Sequence, residues 1–85
     1  MPIAHWKDAP IQSLTVTKAA AWIGRELVYR LTTSTGEPLP LWLEKAIGQN
    51  APDGLVEVRI YPDGARLYHP AARWLHDVGK PGRRP

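Results

Sequence analysis

Nine prolines divide this sequence and restrict where a helix can lie. Each proline removes a backbone N–H donor and biases the residue before it towards an extended conformation. The one long stretch without proline is residues 11–37. Within it, Ala19-Ala20-Ala21 follows Thr15 and Thr17, and either threonine is a suitable N-cap. We therefore expect a helix that begins at about residue 16.

Gly24 decides how that helix ends, and three interpretations compete. If the helix continues to about Thr32, one apolar stripe runs along it, made of Val16, Ala20, Ile23, Leu27 and Leu31. Alternatively, Gly24 ends the helix, and residues 27–31 alternate as a strand. In the third interpretation, Gly24 is the turn between two short helices. The pattern alone leaves all three open.

The second half of the chain has clearer signals for where helices and strands begin and end. Pro40 is suited to begin a short helix over residues 41–47, which Gly48 would end, with Leu43, Ala46 and Ile47 on its buried face. Residues 55–61 alternate in polarity, Pro62-Asp63-Gly64 supplies a turn, and the chain returns as a strand, which predicts a hairpin over 55–69. Pro70 would begin a last helix over residues 71–78, ended by Gly79.

Length and charge limit the class of protein. With 85 residues, the chain forms one domain at most, which we place at 1–78. That segment carries eight basic and eight acidic residues, so the whole net charge of +3 comes from Lys80, Arg83 and Arg84 in a flexible tail, 79–85. The N-terminus lacks the pattern of a signal peptide and no apolar run is long enough to span a membrane, so we expect a cytoplasmic protein without membrane contact.

The residues that enzymes and metal sites need do not form a recognisable pattern. The sequence has no cysteine, and its histidines His5, His69 and His76 do not have the spacing of metal ligands. No nucleophile motif or phosphate-binding glycine loop occurs. We predict a protein that is not an enzyme, with no catalytic residues, no metal and no cofactor. Trp22 and Trp74 are expected in the core, whereas Trp6, Trp42 and Tyr61 are candidates for an exposed aromatic patch.

The third interpretation of Gly24 gives the order helix, turn, helix, linker, hairpin, short helix, which is the winged-helix order. Residues 14–24 resemble the opening helix of phage excisionases and the related MerR-like helix-turn-helix proteins, with a Leu-Thr start, paired alanines and a glycine. Residues 28–31 and 36–40 are similar to the recognition helix and the segment that leaves it. Residues 63–70 and 72–75 look like the second wing strand and the closing helix of that family.

The resemblance implies a small α+β domain of winged-helix type that binds DNA, as an architectural or regulatory factor of a phage or mobile element and a partner of a recombinase. It places Arg25, Tyr29 and Arg30 in the major groove and Arg59, Arg66 and Tyr68 on the wing, while Lys80, Arg83 and Arg84 follow the DNA backbone.

The rival hypothesis is a small α+β phage-type protein that inhibits or modulates a protein partner, such as a host complex, through Trp6, Trp42 and Tyr61. A homodimer is compatible with either hypothesis, and the sequence pattern demands none.

Overall fold

The computed structural model describes residues 10–81, which form a five-stranded antiparallel sheet with one helix packed on one face. Along the sheet, the strands lie in the order β2-β1-β3-β4-β5. In chain order, the elements are β1 Gln12–Ile23, β2 Glu26–Thr33, α1 Leu41–Asn50, β3 Gly54–Tyr61, β4 Gly64–His69 and β5 Trp74–Gly79.

The core lies between the sheet and α1. In a strand, alternate side chains point to opposite faces, so every second residue of β1 and β3 faces the helix. Val16 lies opposite Val56 in the sheet, and both are fully buried. From α1, Leu43 and Ile47 cover them with no exposed surface of their own. Each such side chain contributes roughly 1.5–3 kcal/mol of hydrophobic stabilisation.

β1 is twelve residues long and pairs with two different neighbours. Residues 12–18 pair with β3, and residues 16–23 pair with β2. Beyond Lys18, whose partner Gly54 is the first residue of β3, β1 has only β2 beside it. Residues 19–30 therefore leave the sheet as a two-stranded hairpin, which we call the arm. The molecule is elongated, with dimensions of 43 × 27 × 24 Å along its principal axes.

The expectation of helices in the N-terminal half is wrong. Residues 16–23 are strand, and Gly24-Arg25 is a two-residue turn between two strands, with φ of +62° at Gly24. Such a turn accommodates the positive φ that glycine adopts without steric cost. The alternative in which residues 27–31 are a strand is correct for that segment. Cross-strand pairing has overridden the local helix propensity of Ala19-Ala20-Ala21, which is a weak preference.

The predicted last helix is also wrong. Residues 70–73 form a turn in which Arg73 has φ of +53°, and residues 74–79 are strand β5. Trp74, His76 and Val78 face the helix side at a period of two, which is the spacing of a strand. Residues 10–81 contain no recognition helix, no closing helix and no helix before Leu41, so the predicted winged-helix fold is wrong.

Two predicted elements are confirmed. The helix begins at Leu41 as expected and buries Leu43, Ala46 and Ile47, although it continues past Gly48 to Asn50. The hairpin of β3 and β4 has Tyr61 paired with Gly64 around Pro62-Asp63. Both elements rely on local signals, a proline before a helix and a turn between two alternating runs.

Lys18 ties β1 to the end of α1. Its Nζ donates to the carbonyl oxygens of Gly48 at 2.9 Å and Ala51 at 2.7 Å. Carbonyls at a helix C-terminus lack partners within the helix and carry partial negative charge, so a cation there is stabilising. Lys18 thus fixes the helix over the sheet at the point where the arm departs.

Replacing Lys18 with Met should lower the free energy of unfolding by about 1.5–3 kcal/mol, because two hydrogen bonds from a charged group are lost. Urea denaturation measures this difference. The control is Lys45→Met on the exposed side of α1, which should change stability by no more than about 0.5 kcal/mol. Equal urea midpoints for the two variants would contradict this role for Lys18.

His69 is a buried histidine, and both of its ring nitrogens form hydrogen bonds with the backbone. Its Nε2–H donates to the carbonyl of Asp53 at 2.7 Å, and its Nδ1 accepts from the Ala72 N–H at 3.1 Å. Gly54 lies beside the ring with φ of +121°, and a Cβ at this residue would be 2.8 Å from Nε2. The histidine joins the entrance of β3 to the turn after β4.

Gly54→Ala should therefore destabilise the protein by about 2–4 kcal/mol, from backbone strain together with displacement of the His69 ring. Thermal and urea unfolding report the change. At Gly79 an added Cβ meets nothing within 4 Å, so Gly79→Ala is the matched control and should be nearly neutral. A Gly54→Ala protein as stable as the control would show that His69 has room to move.

Candidate functional site

The tip of the arm exposes large apolar side chains. Trp22 is 70% exposed, Ile23 67% and Leu27 60%. Trp22 and Leu27 are cross-strand partners on the side of the sheet that carries α1, and Ile23 points to the opposite side. Soluble monomers rarely group large apolar side chains at a protruding point, and such groups mark interaction sites. The arm is thus the first candidate functional element.

The root of the arm is anchored to the body. The ring of Tyr29 packs directly against Gly48 of α1, at a position where any added Cβ would collide with the ring. Lys18 Nζ, which caps the helix, lies 5.6 Å from the centroid of the same ring, within the range of a cation–π interaction. This contact holds the direction in which the arm leaves the sheet.

Both outer backbone edges of the arm lack a partner strand among the described residues, and the edge of β1 is the one that continues the edge paired with β3. Ser34 N donates to Thr15 O at 2.8 Å, so the odd-numbered residues of β1 direct their backbone groups to β2. By alternation, the even-numbered residues face the other side, where β3 ends its pairing at Lys18. The N–H and C=O groups of Ala20 and Trp22 therefore point outward at an exposed sheet edge.

The face of the sheet opposite α1 is a second candidate surface, which we call the open face. Arg59, Arg66 and Asp77 lie in a row across its three last strands. Arg66 makes a bidentate contact with Asp77, at 2.8 Å from Nε and 2.9 Å from Nη2. The hydrogen bond to this carboxylate raises the pKa of Arg66 above its ordinary value and offsets its charge.

A shallow cavity of about 190 Å³ lies on this face beside the row of charges. Its lining residues are Glu57, Arg59, Arg66, Tyr68 and Leu75. The cavity mixes both signs of charge, and its phenol ring is partly exposed. Its side chains can offer hydrogen bonds and one aromatic surface, but they do not form a site of a single charge.

The predicted DNA-binding residues fall into separate groups. Arg59, Arg66 and Tyr68 are together on the open face, as a shared location on a wing would require, although no wing exists. Arg25 lies in the turn of the arm, and Arg30 lies on the open side of β2, where it pairs with Ala19; neither residue is on a helix.

The rest of the predicted DNA-binding set is placed elsewhere or is not described. Tyr29 packs on α1. The backbone N–H of Lys80 donates to Asp63 O at 2.9 Å, next to the end of β5. Arg83 and Arg84 lie outside the described residues.

The predicted aromatic patch does not form as expected. Tyr61 is only 4% exposed, and Trp42 is half-buried against the core. Trp6 lies outside the described residues. Instead, the most exposed aromatic side chain among residues 10–81 is Trp22, which the sequence assigned to the core. The signal that could have found it is Gly24-Arg25 read as a two-residue turn between residues 19–23 and 26–30.

Neither a metal site nor a similar known protein adds evidence about function. Among residues 10–81, no group of three or more His, Asp or Glu side chains has the arrangement of a metal site. The one helix of this region is too short to cross a membrane. No family model, curated protein or solved structure matches the chain significantly.

Proposed function

We propose that this protein is a non-enzymatic protein-binding module and that the arm is its binding element. The observation that carries the proposal is the exposure of Trp22, Ile23 and Leu27 around the turn at Gly24. Tryptophan is one of the residue types enriched among those that dominate protein–protein binding energies. Arg25, at the tip of the arm, is an arginine, which is another residue type enriched at such positions.

The anchoring of the arm supports this function. A two-stranded hairpin by itself is marginally stable in water. Here β1 continues into the sheet, and Tyr29 packs on α1, so both strands of the arm begin from fixed positions. A partner would therefore bind a preformed surface and would not bear the cost of ordering it.

Trp22→Ser is the direct test of this proposal. Proteins captured from cells of the source organism by the immobilised chain are identified, purified and titrated against it by calorimetry. Loss of a central tryptophan should weaken binding by about 30-fold or more, which corresponds to about 2 kcal/mol. The matched control is Leu75→Ser, an apolar side chain on β5 that is 56% exposed and lies away from the arm.

The control protein should bind as tightly as the wild type. If no purified protein, a second copy of this chain included, binds with a dependence on Trp22, the proposal is wrong. Circular dichroism of the Trp22→Ser protein checks that the fold is retained, as expected for a side chain with few contacts in the body.

Nucleic-acid binding is the second candidate, and the open face is the observation that favours it. Arg59 lies beside Tyr68, and Arg30 is on the same face further along β2. A partly exposed tyrosine can stack on a base of a single strand, and arginines contact phosphates. With Arg66 offset by Asp77, few phosphates are neutralised, so binding should be weak and its salt dependence shallow.

A salt-titrated gel shift with random single-stranded and duplex DNA tests this candidate. Arg59→Ala should weaken binding uniformly across sequences and reduce the salt slope by about 1. The control is Lys45→Ala on α1, on the other side of the sheet. No shift by the full chain at low salt would rule the candidate out, and a shift indifferent to Arg59 would show that the open face does not bind the DNA.

A further inference from the structure

We propose that the partner of the arm is a second copy of this chain, joined to the first by antiparallel pairing of the two β1 strands around a two-fold axis. This inference rests on the proposed function and names the partner for the same surface. It follows from the backbone of the arm, from the register that the body allows, and from the side chains that this register brings together.

The backbone of each arm offers half of the required hydrogen bonds. Ala20 and Trp22 direct their N–H and C=O groups away from β2, at an edge where β3 has already ended. An antiparallel pair forms when the outward-facing residues of both strands meet each other. Even-numbered residues of one β1 must therefore lie opposite even-numbered residues of the other.

The body of the protein selects one register among those that remain. Pairing Ala20 with Trp22 of the second copy would put that copy's Gly24 opposite Lys18, a place that Gly54 already occupies. A shift by two residues removes the collision and pairs Trp22 with Trp22, at the two-fold axis. A further shift would move Trp22 opposite Gly24, which lies beyond the end of β1, so no two even-numbered strand residues of β1 would face each other.

In this register, the exposed apolar side chains of the two copies lie next to one another. Leu27 and Trp22 are cross-strand partners on the side of α1, so the two copies form a row of Leu27, Trp22, Trp22 and Leu27 across four strands. On the opposite side, Ile23 lies against the small Ala21 of the other copy. Trp22 thus faces Trp22 across the axis, and each Ile23 faces a small alanine. In the single chain, Trp22, Ile23 and Leu27 are exposed, and Ala21 is half-buried.

The charges at the ends of this pairing are complementary. Each turn, with Arg25 at its tip, comes beside the point where the other chain enters β3, and Asp53 is exposed there. The interface involves one strand segment from each copy, which is smaller than the roughly 800 Å² per partner of a standard interface. We therefore expect a weak dimer, with a dissociation constant on the order of micromolar or above.

Sedimentation of the full chain from about 1 μM to about 1 mM tests the dimer. The wild type should pass from monomer to dimer in this range. Trp22→Lys should weaken association by about tenfold or more, because it places a charge at the centre of the apolar row. Leu75→Lys, on the edge strand at the other end of the sheet, should leave association unchanged.

Cysteine pairing tests the register without removing Trp22. The chain has no cysteine of its own. Ala21 and Ile23 of different copies would face each other as a non-hydrogen-bonded pair, with Cα atoms about 4.5 Å apart, which a disulfide spans. An equimolar mixture of Ala21→Cys and Ile23→Cys proteins should therefore form the mixed disulfide in preference to either homodimer.

Several results would overturn the inference. A monomer at every concentration would do so, as would a dimer that Trp22→Lys does not weaken or a cysteine mixture with no preference for the mixed disulfide. If the chain stays monomeric while a different purified protein binds it through Trp22, the proposed function stands and only the identity of the partner is wrong. Failure of both would appear as no Trp22-dependent association of any kind.

Discussion

The pairing of β1 with two neighbours is the interaction on which the rest of the structure depends. The first part of β1 pairs with β3 and places Val16 in the core. The last part of β1 pairs with β2 and extends away from the rest of the sheet. The two pairings overlap only at residues 16–18, so this short segment connects the core to the arm. Lys18 stands at that junction and caps α1, which couples the position of the helix to the start of the arm.

The elements that sequence reasoning predicted correctly have signals within a few residues of one another. Pro40 marks the start of α1, and Pro62-Asp63 marks the turn between β3 and β4. The strand at residues 16–23 has no such signal, because three alanines favour a helix and the partners that make it a strand lie as far away as Gly54. Long-range pairing decides such a segment, and a local pattern cannot show it.

The same error hid the candidate site. As a continuous helix, residues 16–32 would carry Trp22 beside an apolar stripe, and in the helix-turn-helix interpretation Arg25 and Arg30 would face DNA. As a hairpin, they expose Trp22 and Ile23 at a tip, and they separate Arg25 from the open face on which Arg59 and Arg66 lie. The conformation of these residues thus replaces a predicted DNA-facing surface with an exposed apolar tip.

Amide hydrogen exchange along β1, measured by NMR on the monomer at low concentration, tests the central claim most directly. The structure predicts protection of consecutive residues where β1 pairs on both edges at 16–18, and then alternation in the arm, with Ala19 and Ala21 protected and Ala20 and Trp22 exchanging quickly. Continuous protection from residue 19 to residue 24, with helical chemical shifts, would contradict the account.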